Sequence, residues 1–519
     1  MKPIKPRILL VEDLDANRAT TMRLLQEQGY EVIPAASKEE ACQVLDERLV
    51  HLAVVDVRMK DADENDTRGL DFCREMRADI PRILFTAYPN WEVVRTLSEL
   101  SVESLVDKGA KSEVLLGEIH SVLTRFYDVI PARRLGILTS GGDAPGMNAA
   151  IWSALRTALA ENVEMFAIYD GYEGLIHDRV KKLRWPSVAD TLTTGGTMLG
   201  TARSQAFKDK GEKREIAADN LVKRHIDGLI VIGGDGSMRG AQKLAEVIRK
   251  RGAKLDTIAL PGTIDNDLDG TEMSIGAASA VAAGMHEINS MVAPARALRR
   301  VFVCEVMGRH SGFLTLEIGL CVGADAILLP EELVIIKGSP KAADWKDHID
   351  FSATRRRVED EIGDVSRKLE QTFASGKRHA FVLFSEGIRL LATDKENHEY
   401  VKLEDIARTL RQRIGEWKLT PEAEVRSQVI GYPMRGASPS RFDIHLGTTL
   451  GSEAVRMLLD GKSELMLGWS DKGAIQKTSF DTVVERSNRS PVTKYKDRRD
   501  WRRTVELQRR LVKPLPKLL

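Results

Sequence analysis

The carboxylates of this chain include two groups whose neighbours suit phosphoryl chemistry. The first is Glu12 and Asp13, then a lone Asp56, with Thr86 and Lys108 further on. Three carboxylates gathered at one sheet edge supply the hard oxygen donors that a divalent cation prefers. A carboxylate beside such a cation can attack phosphorus and hold an acyl phosphate. A nearby hydroxyl and ammonium, Thr86 and Lys108, would then bind the added phosphoryl oxygens. The second group starts near residue 135 and is larger. It runs Gly141-Gly142-Asp143, then Gly233-Gly234-Asp235-Gly236-Ser237, then Thr263-Ile264-Asp265-Asn266-Asp267. Glycines at a strand-to-helix turn let backbone N–H groups approach phosphate oxygens, helped by the helix N-terminus. Neither turn is GxGxxG or GxxxxGK[ST], so neither the dinucleotide nor the P-loop fingerprint is met. Phosphoryl transfer needs a group to orient or deprotonate the acceptor hydroxyl, and a metal on the phosphates. Asp265 suits the first task and Asp235 the second, while Asp267 also suits a helix cap.

These residues are far apart in sequence, so a fold must gather them. Short apolar runs at 8–11, 53–57 and 83–86 are each followed by polar residues and a helical stretch. That pattern predicts βα units around a parallel sheet buried on both faces. In such sheets functional residues collect at the carboxyl ends of strands, where Asp13, Asp56, Thr86 and Lys108 each sit. Residues 127–134 form a junction too short and too apolar for a long flexible tether. A new series of strands is then predicted at 135–140, 165–170, 228–234, 257–262, 301–306, 326–331 and 380–385. So many alternations call for one large or two lobed α/β domains. Residues 340–377 read as charged and mostly helical. The tail after Ser487 is rich in Arg and Lys, with Trp501 suggesting one anchored face of a solvated helix.

At 519 residues the chain is too long for a single core. Its net charge of +1 offers no overall electrostatic case for nucleic acid. Cys42, Cys73, Cys304 and Cys321 form no metal-ligand spacing, which points to reduced thiols. The N-terminus runs straight into a strand-like segment without a signal-peptide core, and no apolar run reaches the roughly 20 residues of a membrane helix. A cytoplasmic protein without membrane or nucleic-acid partners is expected.

ILLVED (8–13), VVDVRM (54–59), LFTAY (84–88) and LVDKG (105–109) resemble a two-component response-regulator receiver domain over residues 4–126. The resemblance implies a doubly wound, flavodoxin-like parallel sheet. It makes Asp56 the phosphoacceptor, with Glu12, Asp13 and Asp56 holding Mg²⁺. Thr86 and Lys108 become the switch hydroxyl and lysine, Tyr88 the switch aromatic, and a sensor histidine kinase the phosphodonor. Three features depart from the family: Lys60 after Met59, where Pro is usual; Gly109 after Lys108, where Pro is common; and an acidic stretch at 61–66.

From about residue 134 to 467 the chain is similar to 6-phosphofructokinases. The segments that carry this are LTSGGDAPGMNAA, YDGYEGL, GGTMLGTAR, VIGGDGS, LPGTIDND, CEVMGRHSG, FSEG and RGASP, in family order. The resemblance implies two α/β lobes with the site between them, and transfer of the γ-phosphoryl of ATP to the 1-hydroxyl of fructose 6-phosphate. It makes Asp265 the catalytic base. Arg309 bridges substrate and phosphoryl group, Gly142 and Thr263 contact that group, and Arg203 steadies the ATP phosphates. Asp235 would hold Mg²⁺, and Gly236, Ser237 and Gly240 would line the nucleotide pocket near Tyr172. Asp267, Met307, Gly308, Glu386, Tyr432 and Arg435 would face the sugar phosphate. Arg300 and Arg426 match arginines that reach the 6-phosphate from a neighbouring subunit, so a homo-oligomer, dimer or tetramer, is implied. Pyrophosphate-using relatives carry bulkier residues at the positions of Gly236 and Gly262, so the room left here favours ATP. His310 reads as a packing residue of the substrate pocket. Tyr432 stands where the family has a histidine, which leaves the exact sugar open. Trp152 and Val292 replace two effector arginines, leaving Arg156. The expected domains are a receiver (1–126), a junction (127–134), a two-lobed kinase (135–487) and a basic tail (488–519).

Overall fold

The alternating apolar runs near the N-terminus become strands. In the computed structural model, β1 (Arg7–Val11), β2 (Glu31–Ala35), β3 (Leu52–Val55), β4 (Arg82–Thr86) and β5 (Ser104–Asp107) pair in parallel in the order β2-β1-β3-β4-β5. Successive side chains point to opposite faces, so each strand feeds two cores. Leu9, Val11, Ala53, Val55 and Leu84 pack on one side with residues of helices Lys38–Glu47 and Arg68–Glu75. Ile8, Leu10, Leu52, Val54 and Ile83 pack on the other with helices Asp15–Glu27 and Ser112–Phe126. The order reverses between β1 and β3, the kind of position where open α/β sheets place their ligands. The structure describes residues 6–59, 66–77, 79–87, 94, 99–127, 133–202, 204, 205, 207, 211–338, 345–394, 396, 398, 399, 401–416, 423–487 and 504–507.

The chain divides into two compact units. One comprises residues 1–135 with 158–165 and 218–228; the other comprises 136–157, 166–217 and 229–519. The second half of the chain carries two further sheets. β6 (Arg134–Ser140), β7 (Glu164–Ile168), β8 (Val180–Lys182), β9 (Gly228–Gly233) and β10 (Asp256–Pro261) belong to the larger sheet. The smaller sheet consists of β11 (Arg300–Val306), β12 (Ala326–Leu328), β13 (Ala380–Ser385) and β14 (Glu424–Ile430). β15 (Leu465–Trp469) and β16 (Ile475–Ser479) complete the larger one, in the order β16-β15-β10-β9-β6-β7-β8. Its two edge strands, β16 and β8, run antiparallel to their neighbours. The smaller sheet is parallel throughout, in the order β12-β13-β11-β14. Val301, Val303, Val382 and Phe384 of its strands pack with Val358, Ile362 and Leu369 of helix Phe351–Ala374 and Leu410 of helix Leu403–Gly415.

Several predicted strands end early, two of them for a plain local reason. The run at 326–331 stops at Leu328 because Pro330 opens the helical turn Pro330–Leu333. The run at 165–170 stops at Ile168, since Asp170 turns left-handed (φ 55°) into helix Gly171–Ile176. The reading of 340–377 holds for helix Phe351–Ala374, while 340–344 lie outside the described residues. The helix-cap reading of Asp267 fails: the next helix, Ala277–Ala297, has Gly276 as its cap. Lys60 and Trp501 lie outside the described residues; of the tail, 504–507 are described and helical. The four cysteines are free. Among the described residues no helix is long and apolar enough to cross a membrane.

Candidate functional site

The ends of β1, β3, β4 and β5 bring the first residue set together. One oxygen from each of Glu12, Asp13 and Asp56 lies within 4.8 Å of the others. Lys108 Nζ sits 2.5 Å from Glu12 Oε2 and 2.5 Å from Asp56 Oδ2. The Thr86 hydroxyl and the Arg58 N–H donate to Asp56. Burial pushes the carboxyls of Glu12 and Asp56 up, against the pull of the Lys108 ammonium. Buried, crowded oxygen donors whose charge is disfavoured fit a divalent cation, which would offset both the burial and the crowding. Gly69 is required beneath this site, because a Cβ there would run into the Asp56 carbonyl. Asp66 was not singled out by the sequence. It accepts from the Met59 N–H at 2.7 Å and from the Arg68 guanidinium at 2.8 Å, holding the chain after β3. Tyr88 lies outside the described residues.

In the second unit, two glycine turns face each other. After β6, Gly141 takes φ 100°, a conformation that favours glycine, and leads towards helix Met147–Ala160. After β9, Gly234 caps helix Asp235–Lys250. Ser237 Oγ donates to the Ser140 carbonyl at 2.9 Å and so ties the two turns. The Tyr172 hydroxyl donates to the Ser237 carbonyl at 2.6 Å, its ring stacks on Phe207 at 4.4 Å, and Gly240 lies close against that ring. Tyr172 is buried and therefore supports this turn from beneath. A Cβ on Gly234 or Gly236 would meet nothing within 4 Å, which leaves an open cradle at a helix N-terminus, suited to phosphate. The room expected at Gly262 is already taken: a Cβ there would lie 2.7 Å from Met147 Cε and 2.9 Å from Ile232 Cγ2. Asp235 Oδ2 is 3.0 Å from Arg239 Nη2 in the first turn of its helix. Arg203 lies outside the described residues.

The TIDND turn follows β10 and is braced by groups the sequence reading passed over. Asn266 adopts φ 47°, a left-handed conformation that Asn tolerates better than most residues. Its amide donates to the Glu272 carbonyl at 3.1 Å and its side-chain oxygen accepts from the Ser274 N–H at 2.9 Å. Thr263 Oγ1 accepts from the Asp265 N–H at 3.2 Å. The effect is to present Asp265 at only 6% exposure. Burial first, then the charge of Asp267, pushes its carboxyl up to about 7, against the pull of Arg435 and Arg309. A carboxylate poised there can take a proton at neutral pH. Asn148 likewise braces the GGTML loop, donating to Thr194 and accepting from the Met198 N–H at 2.7 Å.

β11 is followed by Met307-Gly308-Arg309, and Arg309 is left-handed (φ 50°). Glu386 Oε2 accepts from the N–H groups of Gly308 (3.2 Å) and Arg309 (3.1 Å), and the Met307 N–H donates to the Ile430 carbonyl at 3.0 Å. Arg435 Nη1 donates to the Asp143 carbonyl at 3.0 Å, and a Cβ on Gly142 would collide with that guanidinium. Asp265, Arg309, Arg435, Gly142 and Glu386 thus converge. Arg300 and Arg426 do not join them in the single chain. Both pair with Glu424, Arg300 at 2.7 Å. Tyr432 is 79% exposed. The ring of His310 meets Trp345 edge-on at 6.3 Å. The guanidinium of Arg156 lies 3.9 Å over the Trp185 ring and 5.5 Å over that of Trp152.

A family model described as "Phosphofructokinase" matches residues 134–458, and one described as "Response regulator receiver domain" matches 8–120. The chain is 38% identical over 354 residues to an ATP-dependent 6-phosphofructokinase of Staphylococcus carnosus (strain TM300), covering 68% of this chain and 93% of that protein. A protein of the same name from Staphylococcus epidermidis is 37% identical over 357 residues, covering 69% and 95%. Phosphofructokinase from Saccharomyces cerevisiae superposes with a TM-score of 0.57 at 30% identity, over 72% of this chain and 48% of that one.

Proposed function

Because the chain belongs to the phosphofructokinase family, with a response-regulator receiver domain ahead of the catalytic region, we propose that it phosphorylates fructose 6-phosphate at the 1-hydroxyl from ATP, under control of phosphorylation at Asp56. Residues 1–126 form the receiver and 135–487 the kinase in this reading. The observation that carries it is Asp265: a buried carboxyl raised to about 7, with Arg309 and Arg435 as the cations acting on it.

The 1-hydroxyl gives its proton to Asp265 as its oxygen attacks the γ-phosphorus, and the bond from that phosphorus to ADP breaks. Arg309 and Arg435 hold negative charge that builds on the transferring group and the sugar phosphate. Backbone N–H groups of the two glycine turns cradle the nucleotide phosphates. Mg²⁺ held by Asp235 would neutralise triphosphate charge, and Mg²⁺ held by Glu12, Asp13 and Asp56 would do the same for an acyl phosphate. In the receiver, Lys108 and Thr86 already contact Asp56 and would turn to the added phosphoryl oxygens. The change in local charge would bias a two-state element, which is the physical basis for regulation.

A coupled assay with fructose 6-phosphate, ATP and Mg²⁺ tests the reaction; an Asp265→Ala enzyme as fast as wild type would refute the assignment. Pyrophosphate in place of ATP should give little turnover. A panel of sugar phosphates tests a second reading, a kinase for another sugar, which the exposed Tyr432 favours. For regulation, rates are compared with and without beryllofluoride or a small phosphodonor. Identical responses from wild type and Asp56→Ala would remove the switch. Mixing Asp265→Asn with Arg426→Ala protomers tests whether Arg426 serves a neighbouring subunit: activity restored in the mixture supports it, and none restored assigns the whole site to one chain.

A further inference from the structure

Arg309 has a second cation beside it, on a segment that no motif marked. The 3-10 turn Trp345–His348 is anchored by Trp345, which is buried in a small cluster with Val334 and Leu391. The next residue, Lys346, reaches back to the loop after β11, placing Nζ 3.3 Å from His310 Nε2. Burial, then the charges of Lys346 and Arg309, push the His310 imidazole down to about 3, so it is neutral. Nε2 therefore accepts from the ammonium and Nδ1 carries the hydrogen. Burial and the charge of Arg309 also push Lys346 down.

Several part-buried cations in this chain have carboxylate partners. Lys108 has Glu12 and Asp56, Arg134 has Glu164 at 2.7 Å, and Arg389 has Glu305 at 2.9 Å. Lys346 shows none among the described residues; its hydrogen bond goes to His310. Glu386, a carboxylate beside this loop, is engaged by the backbone N–H groups of Gly308 and Arg309. Lys346 adds a like charge beside Arg309 without a carboxylate of its own, and the energy of such a pair falls when an anion binds. The charges that chiefly set Asp265 are Asp267, Arg435, Arg309 and Glu386.

The geometry points to Lys346 as a specificity-determining residue: an ammonium held by His310 and Trp345 that contacts the anionic group of the sugar-phosphate acceptor beside Arg309. This rests on the kinase reading above. It takes part in binding the acceptor and has no part in proton transfer, so its loss reads in KM for the sugar phosphate.

The test compares Lys346→Met and Lys346→Arg with the full-length wild type. Lys346→Met is expected to raise KM for fructose 6-phosphate about tenfold, the scale of one charge-assisted hydrogen bond. Its KM for ATP should stay at the wild-type value, which also reports that the variant is folded, and its kcat should stay within about twofold. Lys346→Arg should recover most of the affinity. A wild-type KM in Lys346→Met, a loss of kcat with KM retained, or equal impairment in Lys346→Arg would each overturn the assignment. A wild type that binds fructose 6-phosphate without turning it over sinks the kinase reading alone; calorimetric affinities of wild type and Lys346→Met then decide Lys346.

Discussion

Replacing Asp265 by Asn is expected to abolish turnover and to stabilise the protein at alkaline pH. The carboxyl is buried, and its affinity for a proton is raised from the ordinary 3.8 to about 7. A group whose folded pKa is raised favours folding while it is protonated. That contribution is complete below about pH 4 and is lost as pH rises to about 7. At ~1.4 kcal/mol per pH unit, ionising Asp265 in the fold costs about 4 kcal/mol at pH 8. Asparagine removes that cost while keeping the shape. Urea midpoints followed by tryptophan fluorescence should therefore favour Asp265→Asn by up to about 4 kcal/mol at pH 8. The advantage should shrink below about 2 kcal/mol at pH 5. Wild-type kcat/KM should rise through an acid limb near pH 7, where the base ionises. If the variant is no more stable at pH 8, or its advantage does not shrink at pH 5, the burial argument is wrong.

Other perturbations follow from the same contacts. Asp267→Asn removes a charge that raises Asp265, so the acid limb of the kcat/KM profile should move to lower pH. Gly142→Ala drives a methyl group into the Arg435 guanidinium, and at least a tenfold loss of kcat/KM is expected, about 1.4 kcal/mol. Lys108→Met leaves Glu12 and Asp56 buried without their cation, a change that typically costs about 3–5 kcal/mol. The loss should be larger at pH 7 than at pH 5, since protonation relieves it, and Mg²⁺ should raise the melting temperature of this variant in a titration.

Much of the site was readable in the chain because strand-end residues announce themselves. Asp56 follows an apolar run, Asp265 follows another after a Pro-Gly turn, and parallel sheets place such positions along one edge. The paired glycine turns were legible for the same reason. The braces were not. Asn266, Ser274 and Asn148 act through hydrogen bonds to backbone groups that only the folded loops bring within reach. Edge strands such as β14 and β16 were missed too, since their exposure pattern lacks the continuous apolar run of a central strand. The tightness at Gly262 could not be read either, because Met147 and Ile232 approach it from other strands and helices.

Residue types and their spacing were thus enough to specify two α/β regions, a carboxylate cluster with its lysine, and a phosphoryl-transfer loop set. Local pattern carries that information, since each motif is a strand, a turn and the start of a helix. Protonation and partnership belonged to the tertiary structure. Burial raised Asp265 to about 7, and Glu424 took both Arg300 and Arg426. A distant turn placed Lys346 beside His310 and Arg309. Those outcomes depend on which charges lie within a few ångströms after folding, a quantity that sequence separation does not contain.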